Sequence, residues 1–177
     1  MTINLAGHGE SGVNRKDWTM EAFGDDVSAV VKKLDLHHII FVGHSMGGDV
    51  IAEAALRVRD RTAGLIMVDT YKKLGPGRTP ESVEAIVAPL RTNFPDNAKK
   101  LVLQMFLPTS DKELVEKVAA DMSSAPPDIA LACMTSALSY SREMTKSLVK
   151  LNLSVVVINP DNNPTDEASM EQYKVEV

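Results

Sequence analysis

Several things are scarce in this chain, and each shortage excludes a class of protein. Of 177 residues, 1 is cysteine, Cys133. A lone thiol forms no internal disulfide, which excludes a disulfide-stapled scaffold. Cys133 sits in an apolar helical stretch and reads as a small buried hydrophobe. No apolar run approaches the roughly 20 residues a membrane-spanning helix needs. No charged-then-apolar stretch at the N-terminus marks a signal peptide. Basic clusters are missing as well. Lys32-Lys33, Lys72-Lys73 and Lys99-Lys100 are isolated pairs in a chain of net charge −5 and pI ≈ 5.4, a poor match to a phosphate backbone. Histidine is limited to 4 positions, His8, His37, His38 and His44. Of these, the pair His37-His38 lacks the neighbouring ligands a metal site needs. These shortages predict a cytoplasmic protein with no nucleic-acid, membrane, metal or cofactor partner.

What remains is ordinary: 44% hydrophobic, 24% charged, mean hydropathy −0.07. Such values belong to folded domains rather than disordered or collagen-like chains. A chain this long buries roughly 70% of its unfolded surface, enough for one core.

Short branched runs alternate with longer amphipathic ones. Thr2–Ala6 reads as a strand end closed by Gly7-His8-Gly9. Trp18–Leu34 reads as a helix, with Met20, Phe23, Val27, Val30, Val31 and Leu34 on one stripe. The run Ile39-Ile40-Phe41-Val42 reads as a strand buried on both faces. Asp49–Arg59 reads as a helix, Gly64–Val68 and Ser154–Ile158 as strands, and Tyr173–Val177 as the start of another strand. This rhythm predicts an α/β fold with a mostly parallel sheet flanked by helices. From Tyr71 to Leu153 no strand pattern occurs. The segment reads instead as helices over Pro80–Thr92, Asn97–Phe106, Asp111–Ser123 and Pro127–Tyr140, with a weaker one to Val149. Thr79-Pro80 and Ser110-Asp111-Lys112-Glu113 supply helix-start signals. A helical insertion of this size between two strands reads as a cap.

Residues 43–47, Gly43-His44-Ser45-Met46-Gly47, form G-x-S-x-G between a strand run and a helix run. That context is the one a nucleophile elbow requires. The turn demands tiny residues at Gly43 and Gly47, projects Ser45 Oγ clear of the sheet, and places the Met46 N–H at a helix N-terminus where an oxyanion develops. Gly48 lets that helix pack closely on the neighbouring strand. Two other glycine patterns fail. Gly7 to Gly12 matches G-x-G-x-x-G, but no helix opens at Gly12 and no acid closes the next strand. Neither Gly7–Gly12 nor Gly43–Gly48 is followed by the Lys-Ser/Thr of a phosphate loop.

Here the chain resembles the α/β-hydrolase superfamily. Leu5–Ser11 is similar to the G-H-G-x-S segment after the family's fourth strand. The helix ending Val30–Leu36, the strand Gly64–Thr70 and the strand Ser154–Asp161 follow in family order. The likeness is to the small-ester hydrolase and cofactor-free peroxidase-like branch. It implies domains at 1–70 (core with the elbow), 71–153 (helical cap) and 154–177 (second part of the core).

A serine hydroxyl needs a histidine base and an acid to orient it. The resemblance implies the order Ser, acid, His. Asp161, after the Ser154–Ile158 strand, is the favoured acid, although a gapless reading puts Asn163 at that place. Asp69, ending Gly64–Val68, is the alternative. No histidine follows either. His8 falls where the family carries a structural histidine, His37 and His38 read as exposed, and His44 points away from its neighbour Ser45. The expectation is therefore a fragment of a longer serine hydrolase, truncated at both ends. Ser45 would be its nucleophile, and a small or medium apolar carboxylic ester its substrate. Ile86, Leu90, Leu101, Met105, Leu114, Met134 and Leu138 are the cap's pocket candidates. Exposed sheet edges predict self-association. The alternative expectation is a non-catalytic binding or interaction protein on the same fold.

Overall fold

The structure, a computed structural model, describes residues 1–177. Its four parallel strands are β1 (Ile39–His44), β2 (Thr62–Val68), β3 (Ser154–Ile158) and β4 (Val175–Glu176), hydrogen-bonded in that order. The helices are α1 (Met20–Lys33), α2 (Met46–Arg57), α3 (Pro80–Thr92), α4 (Phe94–Leu103), α5 (Lys112–Ser123), α6 (Pro127–Leu151) and α7 (Glu167–Gln172). The chain divides into two compact units. One is Met1–Arg78 with Ser136–Val177; the other is Thr79–Thr135. Residues 71–78 and 136–153 thus cluster with the sheet.

In the sheet unit, register explains the core. Phe41 pairs with Leu65, Leu65 with Val155, and Val155 with Val175, one row across four strands. Met67 and Val157 form the next row, and all of these side chains are buried. α2 packs on β1 and β2, and α1 packs on α2. α1 buries the stripe Met20, Phe23, Val27 and Val31, and Thr19 caps it by accepting from the Ala22 N–H at 3.2 Å. Such a cap contributes about 1 kcal/mol. On the opposite sheet face the pattern breaks. Ile40 is 60% exposed, Val42 63% and Ile158 55%. The expectation that Ile39–Val42 is buried on both faces is therefore corrected. A strand's alternation puts every second side chain on the far face, and no helix of this chain covers it there. Thr2–Ala6 forms no strand either. Ile3 is exposed, and the segment is held by turns such as His8 N–H to the Leu5 carbonyl at 2.9 Å.

In the helical unit, α3 buries Val83, Val87 and Leu90. Leu90 joins Phe94 and Ala98 in a core that Leu101, Leu131 and Met134 pack against. Thr79 caps α3 and Asn93 caps α4. For α5 the cap is Asp111, which accepts from the Leu114 N–H at 2.8 Å, one residue later than a Ser110–Glu113 box requires. Ser110 instead accepts from the Leu107 N–H at 3.1 Å. The expected break after Tyr140 does not occur, because α6, whose residues from Ser136 on belong to the sheet unit, is one helix of 25 residues. Its later positions Tyr140, Met144, Leu148 and Leu151 recur at three or four residues and are all buried, which carries the helix through a polar stretch. Cys133 is buried as expected. No helix is long and apolar enough to cross a membrane.

Candidate active site

β1 ends in a sharp turn at Ser45, with φ +50° and ψ −122°, and α2 begins at the next residue. Left-handed φ at a non-glycine residue costs free energy and is retained where structure over-determines it. Two contacts fix it here. The Ser45 N–H donates to the Val68 carbonyl at 2.9 Å, and the Ser45 carbonyl accepts from the Gly48 N–H at 2.9 Å. Ser45 is exposed and stands at the N-cap of α2, yet its side chain makes no capping hydrogen bond. Its hydroxyl is therefore uncommitted. The Met46 N–H, first in the helix, has no intrahelical acceptor by geometry and lies at the positive end of the helix dipole.

The glycines are not equivalent. A Cβ on Gly43 would lie 2.2 Å from the Gly47 carbonyl oxygen, and one on Gly48 would lie 2.3 Å from the Thr70 hydroxyl. Both positions exclude any side chain, as read for Gly43 and Gly48. A Cβ on Gly47 meets nothing within 4 Å. The reading that Gly47 must be tiny is corrected: the crowded partner of the turn is its backbone, not its side-chain space.

Asp69 follows β2 directly with φ +47°, and its N–H donates to the Ile158 carbonyl at 2.8 Å. That bond ties the strand ends of β2 and β3 together. The Asp69 carboxylate is paired with the Lys72 ammonium, which also donates to Asn159 Oδ1 at 3.1 Å. Asp161 lies beyond β3 in a turn closed by the Asn163 N–H to the Pro160 carbonyl at 3.2 Å. It is exposed and bonded to no side chain.

No histidine is hydrogen-bonded to Ser45, Asp69 or Asp161. His8 Nδ1 bonds the Ala6 carbonyl at 3.0 Å and its ring meets Phe23 edge-on at 6.1 Å. His37 is exposed beside Asp35 and Arg61, and His38 and His44 are exposed. No group of three metal-ligating side chains exists. Of the pocket candidates, Leu90, Leu101 and Met134 pack the helical unit's own core, while Met105 and Leu114 are exposed.

One carboxylate missed at the sequence level lies directly behind the turn. Asp49, in the first turn of α2, is 4% exposed and accepts a hydrogen bond from the Tyr71 hydroxyl at 2.7 Å. Burial pushes its carboxyl up to about 7, opposed by the Tyr71 bond. One turn on, buried Glu53 accepts from the Tyr140 hydroxyl and pairs with Arg57. Tyr140 lies 3.0 Å from the Ser147 hydroxyl. Burial, with the carboxylates beside them, drives both phenols up. The signal was an Asp and a Glu four apart, flanking the apolar run Val50-Ile51-Ala52 of α2.

The α/β hydrolase fold family matches residues 1–118. Among solved structures, a bromoperoxidase from Bacillus anthracis superposes with TM-score 0.82 at 16% identity, over 98% of this chain and 70% of that one. An esterase from Thermogutta terrifontis superposes with TM-score 0.75 at 28% identity, over 97% of this chain and 67% of that one. A protein of Mycobacterium phage D29, provisionally named a non-heme haloperoxidase, is 35% identical over 69 residues, which are 39% of this chain and 25% of that protein. This chain therefore matches only a quarter of that curated relative's length. Because the family's pattern covers residues 1–118, the strand-turn-helix at Ser45 included, the chain belongs to the α/β hydrolase fold family.

Proposed function

We propose that this chain carries the nucleophile of a serine hydrolase acting on small or medium apolar carboxylic esters. The observation that carries the reading is the Ser45 turn: a left-handed, exposed serine with an uncommitted hydroxyl at a helix N-terminus. Ser45 Oγ bonds to the acyl carbon while its proton passes to a base. The Met46 N–H holds the oxyanion. The alcohol leaves with the proton, and water then cleaves the acyl-enzyme to release the acid. The acid residue is Asp161, with Asp69 as the alternative. Asp69 is already paired with Lys72, which supports the preference for Asp161. The base is a histidine from outside these 177 residues, since none of the 4 present bonds to Ser45 or either acid. That the solved relatives run longer supports reading the chain as a piece of a larger hydrolase.

The chain as it stands tests this with imidazole supplied as the missing base. p-Nitrophenyl acetate with imidazole should acetylate the peptide containing Ser45, and Ser45→Ala should abolish the adduct. An unacetylated Ser45 peptide overturns the reading. The absence of a bonded histidine also favours a second reading, a non-catalytic binding or interaction protein on the same fold. Ligand-dependent stabilisation with no Ser45 adduct would select it.

A further inference from the structure

The segment that follows β2, residues 69–72, is tied down at every position. Thr70 Oγ1 donates to the Ser45 carbonyl at 3.2 Å, and Thr70 fills the space a Cβ on Gly48 would take. The Tyr71 carbonyl accepts from Asn159 Nδ2 at 2.8 Å, and the Lys72 carbonyl accepts from the Asp166 N–H at 2.8 Å. Asp69 is held by Lys72. The remaining tie runs downward into the nucleophile helix, from the Tyr71 hydroxyl to Asp49.

A buried carboxylate is costly unless it is satisfied. Asp49 has no cation beside it; its hydrogen-bond partner is Tyr71. The other charged and titratable groups around it are also defined. Glu53, one turn along α2, is engaged by Tyr140 of α6 and by Arg57. Arg57 is shared with Asp25 of α1. Tyr140 and Arg78 act on Tyr71 through space. None of these neutralises Asp49. An apolar residue at 49 would suit the helix better, so the carboxylate is explained by what it holds.

We propose that Asp49 is a positioning residue for the Ser45 turn: through Tyr71 it locks residues 69–72 against α2, which sets Thr70 under the Ser45 carbonyl and Asp69 beside the strand ends. The proposal rests on the reading of Ser45 as nucleophile for its catalytic meaning, but not for its geometry. Charged Asp49 grips the phenol through a charge-assisted bond, and protonated Asp49 grips it more weakly. The positioning is therefore set by pH near neutrality, where burial has placed this group.

The test is a pH series of amide spectra on the 177-residue chain, from pH 5.5 to 8.5. The Ser45, Thr70 and Tyr71 amides should shift together with one midpoint near 7. Asp49→Asn should remove that midpoint. Tyr71→Phe should remove the Ser45 and Thr70 shifts, and it serves alone if the Asn variant fails to fold. No shared midpoint, or one that persists in Asp49→Asn, overturns the proposal. A parallel arm reads imidazole-supported acetylation of Ser45. In the wild type its rate, divided by the free-base fraction of the added imidazole, should carry the same midpoint, and in Asp49→Asn that corrected rate should fall severalfold at pH 8 and lose that midpoint. If wild-type Ser45 is never acetylated, the hydrolase reading fails while the spectra still decide the role of Asp49.

Discussion

A Cβ built on Gly43 would lie 2.2 Å from the carbonyl oxygen of Gly47. The two glycines of one motif therefore do different jobs, the first providing space and the second lending its backbone. Gly43→Ala forces backbone apart and should destabilise by about 3 kcal/mol, in the range of severe steric substitutions. Gly47→Ala meets open space inside a helix and should stabilise by up to about 1 kcal/mol, the usual gain of Ala over Gly. Urea denaturation of both variants checks this. Equal destabilisation would contradict it.

The two acid candidates separate by the same logic. Asp161 is exposed and unpaired, so Asp161→Asn should leave the melting temperature unchanged. Asp69→Asn loses a partly exposed ion pair, worth less than about 1 kcal/mol. In the longer hydrolase that the function reading requires, Asp161→Asn should lower kcat by about 10²- to 10⁴-fold, because loss of the orienting charge leaves the base misdirected. Asp69→Asn should change kcat only a few-fold. The reverse ordering would assign the role to Asp69.

Asp49 also predicts how stability depends on pH. Its folded carboxyl, near 7, lies above the roughly 3.9 of an unfolded aspartate. Between those values the folded state binds more protons than the unfolded one. Stability contributed by this group is therefore fully present below about pH 4 and is lost as pH rises through 7. The loss is of the order of 4 kcal/mol at pH 8 for so buried a group. Asp49→Asn should flatten that slope and be the more stable protein at pH 8. Denaturant midpoints at pH 5 and pH 8 for both proteins measure it. A slope that survives the substitution would contradict the assignment.

The bare sheet face bears on solution behaviour. Ile40, Val42 and Ile158 are all more than half exposed. β1 is an edge strand with its far side unpaired, a template for association. The chain should self-associate on sizing, and Val42→Lys should reduce this without lowering the melting temperature. A monodisperse wild-type monomer would contradict it.

Much of this was legible in the residues. The bounds of α3 follow from Thr79-Pro80 at one end, and those of β3 from the branched run Ser154–Ile158. The strand-turn-helix at Ser45 was readable because the motif dictates its own geometry. The exposure of Ile40 and Val42 was not, since an apolar run reads alike whether or not something covers its second face. The unbroken α6 was obscured by polar residues on its exposed side. Asp49 escaped because its partner lies 22 residues away, a relation that exists only once β2 returns beside α2. The pairing of Asp69 with Lys72, three residues on, was available locally.

The central claim is that Ser45 is an acyl-accepting nucleophile, and peptide mass analysis after treatment with p-nitrophenyl acetate and imidazole tests it most directly. The account predicts an acetyl group on the Ser45 peptide of the wild type and none in Ser45→Ala. An unmodified Ser45 peptide, with surface lysines acetylated alike in the wild type and in Ser45→Ala, would contradict it.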